Sequence, residues 1–219
     1  MALPDWQPAH LPPMSPMTGR FGRLEILDAD VHTADLWHAF CDPNHAADWT
    51  YLSYGPFDSF DSFSDWIRTD CVHDDPLFHV IIDAPTGKPI GLASYLRIEP
   101  SAGTIEVGHI HYSKLLQKKP LATEAMFLMM LQAFDDLGYR RYEWKCDALN
   151  QRSRNAALRL GFTFEGIFRQ AAIYKGRSRD TAWFSITDNE WPQLKTEFYR
   201  WLDPENFDVQ GRQRKRLRP

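Results

Sequence analysis

The 219-residue chain has 43% hydrophobic and 25% charged residues and a formal net charge of −4, values typical of one soluble globular domain. The acidic balance argues against general nucleic-acid binding, and no apolar stretch approaches the roughly 20 residues that span a bilayer. Its three cysteines, Cys41, Cys71 and Cys146, form no CxxC pair, which predicts reduced thiols, no metal site and a cytoplasmic location.

The two ends of the chain differ in composition from its middle. Residues 1–19 are rich in proline and lack the basic and apolar segments of a signal peptide, so we expect an extended arm laid over the domain surface. Residues 20–203 are expected to form one domain. Residues 204–219 end in a basic cluster, for which we expect a solvated, disordered tail, with contact to RNA or an acidic partner as the alternative.

The first half of the domain begins with alternating apolar and polar residues at Phe21–Asp28, which predicts a strand. Asp30 is expected to cap an amphipathic helix that runs through Phe40. The aromatic stretch Trp49–Phe57 contains a Gly-Pro turn and indicates an ordered loop. A second helix is predicted over Ser59–Thr69.

The second half begins with three predicted strands at residues 77–84, 86–99 and 103–113, separated by turns, which indicates an antiparallel meander. The remaining predicted elements are a helix from Leu121 to Leu137 stopped by Gly138, a strand at residues 140–148, a helix from Asn150 to Leu160 ended by Gly161, a pair of strands, and a closing helix from Asn189 to Leu202. This order predicts an α/β fold, with a mixed, mostly antiparallel sheet of about seven strands and helices on both faces.

Three segments, Ile105–Ala125, Asn150–Arg169 and Gly176–Trp191, together resemble the GNAT acetyltransferase superfamily, specifically its RimJ/RimL-like branch. The second segment is the most specific, because six of its residues fall at the spacing of that branch: Asn150, Ser153, Gly161, Phe162, Glu165 and Gly166. The resemblance implies a central sheet splayed in the middle, with an acyl-CoA donor bound where the family's fourth and fifth strands separate. It also implies acetyl-CoA-dependent acetylation of a primary amine.

The resemblance places the CoA pyrophosphate on a loop that turns from strand into helix, where backbone N–H groups and the helix dipole hold phosphate. Pro120 stands where the family has glycine; it lacks an N–H but is tolerated in the first helical turn. Asn150 is associated with the pantetheine arm and can also cap its own helix. The expected cofactor-binding residues are Gln117, Lys118, Lys119, Leu121, Ala122, Thr123, Asn150 and Ser153.

For the chemistry, the resemblance implies that backbone N–H groups around Gly108–His111 polarise the thioester carbonyl. Many members protonate the leaving thiolate with a tyrosine, but Ala157 occupies that position here. Ser153 is the candidate acid in its place. A serine on a helix surface without this role is the alternative.

The general base is left open by the residues. Ala172 stands where some relatives carry a carboxylate. Glu106, acting through a water, is one candidate. His109 and His111 are two others, because histidine has a suitable unperturbed pKa and the two share a strand face unless a bulge intervenes.

The acceptor pocket is expected between the loop after the first helix and a late hairpin. Its expected residues are Trp49, Tyr51, Phe57 and Arg169, with ordinary packing as the alternative for the aromatic ones. Aspartates around the second helix indicate a solvated face, or a surface that attracts a cationic acceptor such as a polyamine.

A small-molecule amine and a protein N-terminus are both possible acceptors, and relatives suggest a homodimer. The alternatives to an enzyme are a degenerate acyl-CoA-binding module and a ribosome- or RNA-associated protein that uses the basic tail.

Overall fold

The computed structural model describes residues 3–219, so the first two residues of the expected arm lie outside the described residues. The strands are β1 Met17–Thr18, β2 Gly22–Ile26, β3 Leu77–Asp83, β4 Pro89–Glu99, β5 Thr104–Tyr112, β6 Arg141–Asp147, β7 Thr163–Tyr174 and β8 Arg177–Thr187. The α-helices are α1 Ala29–Phe40, α2 Phe60–Asp70, α3 Pro120–Leu131, α4 Gln151–Arg159 and α5 Trp191–Leu202. No helix within residues 3–219 is both long and apolar enough to cross a membrane.

One eight-stranded sheet organises the molecule, in the order β1-β2-β3-β4-β5-β6-β8-β7. Every neighbouring pair is antiparallel except β5 and β6, which run parallel. The predicted mixed, mostly antiparallel sheet is therefore confirmed, and the strand beyond the expected seven is the two-residue β1. The parallel pair requires a crossover connection, and α3 supplies it.

Hydrophobic side chains fill both sides of this sheet. On one side, α1 and α2 cover the alternate residues Phe78, Val80 and Ile82 of β3. On the other side, α3, α4 and α5 pack against Ile81 and the inward residues of β4, β5 and β6. Helices thus cover both faces, and the continuous apolar run of β3 is explained by its burial on both sides.

The helix ends follow the sequence with two corrections. The helix predicted to run to Leu137 ends as α3 at Leu131 and continues as a short π-helix, Gln132–Asp136, before Gly138. Asp28, and not Asp30 as expected, caps α1, because its carboxylate accepts hydrogen bonds from the backbone N–H groups of Asp30 and Val31. Ser59 forms a capping box at the start of α2. Gly161 follows α4 with φ +94°, a left-handed conformation that glycine adopts without strain.

The N-terminal arm lies on the domain, and the C-terminal tail does so too. In the arm, the N–H of Ala9 donates to the carbonyl of Pro100 at 3.0 Å. In the tail, Leu217 is buried, and the N–H of Arg218 donates to Glu197 Oε1 at 2.6 Å. The expectation of a disordered tail is therefore wrong: one apolar residue and backbone hydrogen bonds anchor it, while its basic side chains stay exposed.

The start of α3 is tied to the turn between β1 and β2 by the buried carboxylate of Glu124. This carboxylate accepts backbone hydrogen bonds from Arg20 at 2.7 Å, Phe21 at 2.7 Å and Gly22 at 3.2 Å. A Cβ at Gly19 would lie 2.4 Å from the same carboxylate carbon, so the turn approaches as closely as glycine permits. Three charge-assisted hydrogen bonds thus fix this turn to the N-terminal half of α3.

We predict that Glu124→Gln lowers the free energy of unfolding by about 2–4 kcal/mol, because the amide offers one acceptor oxygen to three donors and turns its own N–H groups toward them. Urea denaturation measures the change. Glu99→Gln is the matched control, since Glu99 is exposed, and is expected to stay within about 0.5 kcal/mol of the parent. Equal stability of both variants would contradict this role for Glu124.

His79 on β3 is fully buried, and neither ring nitrogen makes a hydrogen bond within residues 3–219. Burial lowers the pKa of His79 to about 4. The ring is therefore neutral in the folded protein. The unfolded chain binds the proton near pH 6.5, so the stabilisation by neutral His79 is complete above pH 6.5 and is lost as the pH falls toward 4.

We predict that His79→Leu makes stability less dependent on pH between about 6.5 and 4, removing a slope of roughly 1.4 kcal/mol per pH unit. Denaturant melts across this pH range measure the slope. His38→Gln is the control, because His38 is exposed, and it should keep the parental slope. An unchanged slope in His79→Leu would show that this ring does not titrate on unfolding.

Candidate functional site

The central opening of the sheet lies between β5 and β6. The two strands pair from Thr104 with Arg141 to Val107 with Trp144, and no further. Beyond that point β5 stays with β4 and β6 stays with β8. Backbone groups of both strands therefore border a gap in the middle of the sheet, which confirms the expected splay.

A bulge in β5 lies directly at this opening. Ser94 of β4 pairs with Gly108 of β5, and Leu92 of β4 pairs with His111 of β5. Between these two pairs β5 therefore contains one residue more than β4. His109 takes φ +50° within this longer stretch. Bulges re-aim side chains and disrupt the ladder locally, and this one leaves both His109 and His111 against the aromatic core under α1 and α2.

The loop before α3 turns the chain from β5 into the helix, with a conformation and residues that depart from the expected glycine pattern. Lys118, rather than a glycine, takes the left-handed conformation, with φ +65°. Pro120 is the first residue of α3, where its missing N–H removes no helical bond. Gln117 turns inward and donates from Nε2 to the carbonyl of Tyr112 at 2.8 Å. The N–H groups of Gln117, Lys119 and Ala122 donate to carbonyls of the same segment. The loop thus presents two lysine side chains, while the Gln117 amide holds the loop itself.

Two of the side chains at the start of α3 that were expected to bind the cofactor are less exposed than the sequence suggested. Leu121 and Thr123 are buried. Thr123 Oγ1 accepts a hydrogen bond from Arg159 of α4 at 3.0 Å. The side chains of both residues therefore pack within the domain and are not free to contact a ligand.

The start of α4 brings Asn150 and Ser153 to the end of β6. Asn150 Oδ1 accepts from the N–H of Ser153 at 3.1 Å, which confirms its capping role. Ser153 Oγ accepts from Trp144 Nε1 at 2.9 Å. This bond fixes the serine oxygen, and the hydroxyl also lies within hydrogen-bonding reach of the Cys146 thiol.

Glu106 lies near the opening on the same strand as the two histidines, but it is enclosed by charge. Its carboxylate is 2.7 Å from Arg97 Nη1 and 2.8 Å from Lys145 Nζ. Lys145 also contacts Glu143 at 2.7 Å, and its amine lies 3.8 Å above the ring of Trp183. Burial raises the pKa of Glu106 above its usual value, although both cations oppose that shift.

The two histidines have different surroundings. His111 is buried between the rings of Trp49 and Phe40, at centroid distances of 4.0 and 4.4 Å, which favours a packing role. His109 is partly exposed, and its Nδ1 lies 3.1 Å from the hydroxyl of Tyr54. Burial lowers the pKa of both rings to about 4, so both are neutral near pH 7.

The four expected acceptor residues do not form one cluster. Trp49 is 2% exposed and sits inside the aromatic core, so packing explains it. Phe57 packs edge-on against Trp49 and is partly exposed. Tyr51 donates its hydroxyl to the carbonyl of Leu149 at 3.1 Å, and Arg169 is exposed on β7. Of these four residues, only Tyr51 and Phe57 are partly exposed and lie on the loop between α1 and α2.

The loop between α1 and α2 makes hydrogen bonds and an ion pair with segments on both sides of the opening. Besides the Tyr51 bond, Lys175 from the β7–β8 hairpin donates to the carbonyl of Trp49 at 2.9 Å. Asp48 pairs with Lys114 at 2.7 Å. The Lys175 bond thus joins the loop after α1 to the hairpin, while Tyr51 joins it to the segment after β6 and Asp48 to the segment after β5.

Sequence reasoning missed Tyr54 and Lys145 at this site. Lys145 belongs to a strand in which charged Arg141, Glu143 and Lys145 alternate with buried Tyr142, Trp144 and Cys146. That period of two predicts one charged face and was the available signal. Tyr54 had no such signal, because the stretch around it is aromatic throughout and its partner lies on a distant strand.

Comparison with known proteins gives consistent matches. The model of a family described as an acetyltransferase (GNAT) domain matches residues 23–163. A GCN5-related N-acetyltransferase from Brucella melitensis is 46% identical, with a TM-score of 0.96 over 98% of this chain and 97% of that chain. A probable GNAT-family acetyltransferase from Chromobacterium violaceum is 38% identical, with a TM-score of 0.82 over 88% of this chain and 96% of that one. An uncharacterized N-acetyltransferase from Bacillus licheniformis, p20, is 27% identical over 77% of this chain and 92% of its own length.

Proposed function

Because the chain belongs to the GNAT family of acetyltransferases, we propose that it transfers the acetyl group of acetyl-CoA to a primary amine of a small molecule or a protein N-terminus. The chain is an acyltransferase, and its family uses acetyl-CoA. The observation that carries the proposal is the opening between β5 and β6, with the start of α3 and the Ser153 hydroxyl beside it. The RimJ/RimL-like branch is proposed from the residue spacing in Asn150–Arg169 alone.

We assign the pantetheine arm of the cofactor to the opening and its pyrophosphate to the loop before α3. The first turn of a helix carries N–H groups without helical partners, and its dipole favours negative charge. Lys118 and Lys119 add two positive charges to that turn. Leu121 then contributes through its backbone N–H. Gln117, Ala122 and Thr123 support the loop through their own hydrogen bonds, and Asn150 and Ser153 border the arm from α4.

The chemistry needs three roles beyond binding. The amine attacks the thioester carbon, the carbonyl oxygen becomes an oxyanion, and the thiolate leaves. We assign protonation of the thiolate sulfur to Ser153, whose oxygen is already held by Trp144. Glu106 is the proposed base for the amine proton, through a water, because it is the buried carboxylate near the bulge. For His111, its enclosure supports a packing role instead.

On the acceptor side, Tyr51 and Phe57 are the proposed contacts, because both are partly exposed on the loop that covers the opening. Arg169 on β7 is a proposed outer contact for an anionic part of the acceptor. Trp49 supports this loop from inside the core. A cytoplasmic location stays a prediction from the three free cysteines.

We predict that acetyl-CoA and CoA bind the wild-type chain saturably in calorimetry. Lys118→Glu/Lys119→Glu should weaken that binding at least tenfold, because four units of charge change beside the pyrophosphate. Arg214→Glu/Arg216→Glu is the control with the same charge change on the exposed tail, and it should bind normally. Absence of binding to the wild type at millimolar concentration would refute the proposed function, and equal weakening by both variants would refute the loop assignment.

Turnover separates an enzyme from a degenerate acyl-CoA-binding module. A screen of amines and N-terminal peptides that detects free thiol from acetyl-CoA should find an acceptor. With that acceptor, Ser153→Ala is expected to lower kcat about tenfold while the acetyl-CoA Kd changes little, since a thiolate leaves readily without an acid. Binding without turnover on any amine would favour the degenerate module, and loss of RNA binding in the tail variant would favour the RNA-associated alternative.

We also propose that two copies pair through β7, the edge strand of the sheet. Nearly all of β7 is exposed, including the apolar Phe164, Ile167, Phe168 and Ile173, and such an edge is usually covered or blocked by charge. Pairing about Ile167 would place Glu165 of each copy opposite Arg169 of the other.

Light scattering should give the mass of a dimer, and Ile167→Lys should give a monomer while the exposed-site control Val209→Lys does not. A monomeric parent would contradict the pairing.

A further inference from the structure

We propose that Tyr54 is a positioning residue that holds His109 in the tautomer with its proton on Nε2, so that His109 serves the transfer reaction as a hydrogen-bond donor and not as its base. This inference rests on the proposed function. It concerns the one histidine that is both at the β5 bulge and partly exposed. It changes the role expected of His109 from the sequence, where it was a candidate base.

The two side chains are held in a defined arrangement. The Tyr54 hydroxyl lies 3.1 Å from His109 Nδ1, and the two rings are nearly parallel, at an angle of 13°. Tyr54 is itself stacked on Trp66, with centroids 4.4 Å apart. On its other side, His109 packs against Phe78 at 5.0 Å. Neither ring can turn freely, so the hydroxyl stays directed at Nδ1.

Counting hydrogens decides the direction of this bond. Burial raises the pKa of Tyr54 well above 10, so the phenol keeps its proton. Among residues 3–219 its hydroxyl has no other hydrogen-bond partner than His109. The hydroxyl is partly buried, and the lone pair of Nδ1 is the acceptor that the described residues offer its proton. A neutral imidazole that accepts at Nδ1 carries its own hydrogen on Nε2.

The ring must be neutral for this to hold, and its surroundings make it so. Burial and the Arg97 guanidinium lower the pKa of His109 to about 4. A base at Nε2 would need a lone pair there, which the bond from Tyr54 removes. Nε2 then carries the hydrogen, and because His109 lies at the bulge, this N–H is our proposed donor to the thioester carbonyl. During transfer it would donate to the carbonyl oxygen as negative charge forms, while the amine proton goes to another group; His109 itself neither gains nor loses a proton.

The tautomer is measured directly, without any activity. In the full chain labelled with ¹⁵N-histidine, two-bond ¹H–¹⁵N correlation at pH 7 should show His109 with a protonated Nε2 and an unprotonated Nδ1. His109→Gln assigns the signals. In Tyr54→Phe the preference should shift toward a mixture of tautomers. A protonated Nδ1 in the wild type, or a spectrum unchanged by Tyr54→Phe, would overturn the proposal.

Kinetics then separate a donor from a base. The variant His109→Gln places an amide donor near the position of Nε2 but has no basic nitrogen. It should keep kcat within about tenfold of the wild type, while His109→Ala should lose about 10²–10³, the cost of one oxyanion donor. Acetyl-CoA calorimetry on both variants checks that the fold and the cofactor site persist.

Equal loss in His109→Gln and His109→Ala would overturn the donor role. His38→Gln, at an exposed position, controls for the substitution itself. If the wild type transfers no acetyl group to any amine, the proposed function fails, and the NMR experiment still decides the tautomer by itself.

Discussion

Strand β5 cannot follow both of its neighbours along its whole length, and the site depends on that constraint. Its pairing with β6 stops at Val107, whereas its pairing with β4 continues to Tyr112 through a bulge. The ladder toward β4 is thus preserved at the expense of the ladder toward β6. Unpaired backbone groups in the middle of a sheet are costly unless something pairs with them, which fits the proposed place of an extended, amide-bearing cofactor arm in this gap.

The buried charged groups Glu106 and Lys145 near the gap are each paired with groups of opposite charge. Glu106 lies between two cations, and Lys145 lies between two carboxylates and over an indole ring. Removing one member of such a set leaves a buried charge without its partner, which costs far more than the pair contributes. The same network limits the chemistry, because a base at Glu106 must release its proton again beside Arg97 and Lys145.

Individual residues show which features of the site could be predicted from the sequence and which could not. Pro120 departs from the family loop, yet it fits because a first helical turn needs no N–H there. Asn150 was predicted to cap α4 and does so, because capping depends only on neighbours three residues apart. Trp49 and His111 looked like site residues in the sequence. Their burial against each other could not be foreseen, because it depends on how a loop folds back on β5.

Local patterns in the sequence were enough to predict the order of helices and strands, most of the helix ends, the turn before α3 and the resemblance to one family, because these depend on periodicity, capping and spacing. The folded chain was needed to see which way side chains face beyond the bulge and which residues meet across the opening. It also showed that the tail is anchored through Leu217. Such contacts join residues far apart in the chain, such as Tyr54 with His109, and local patterns carry no information about them.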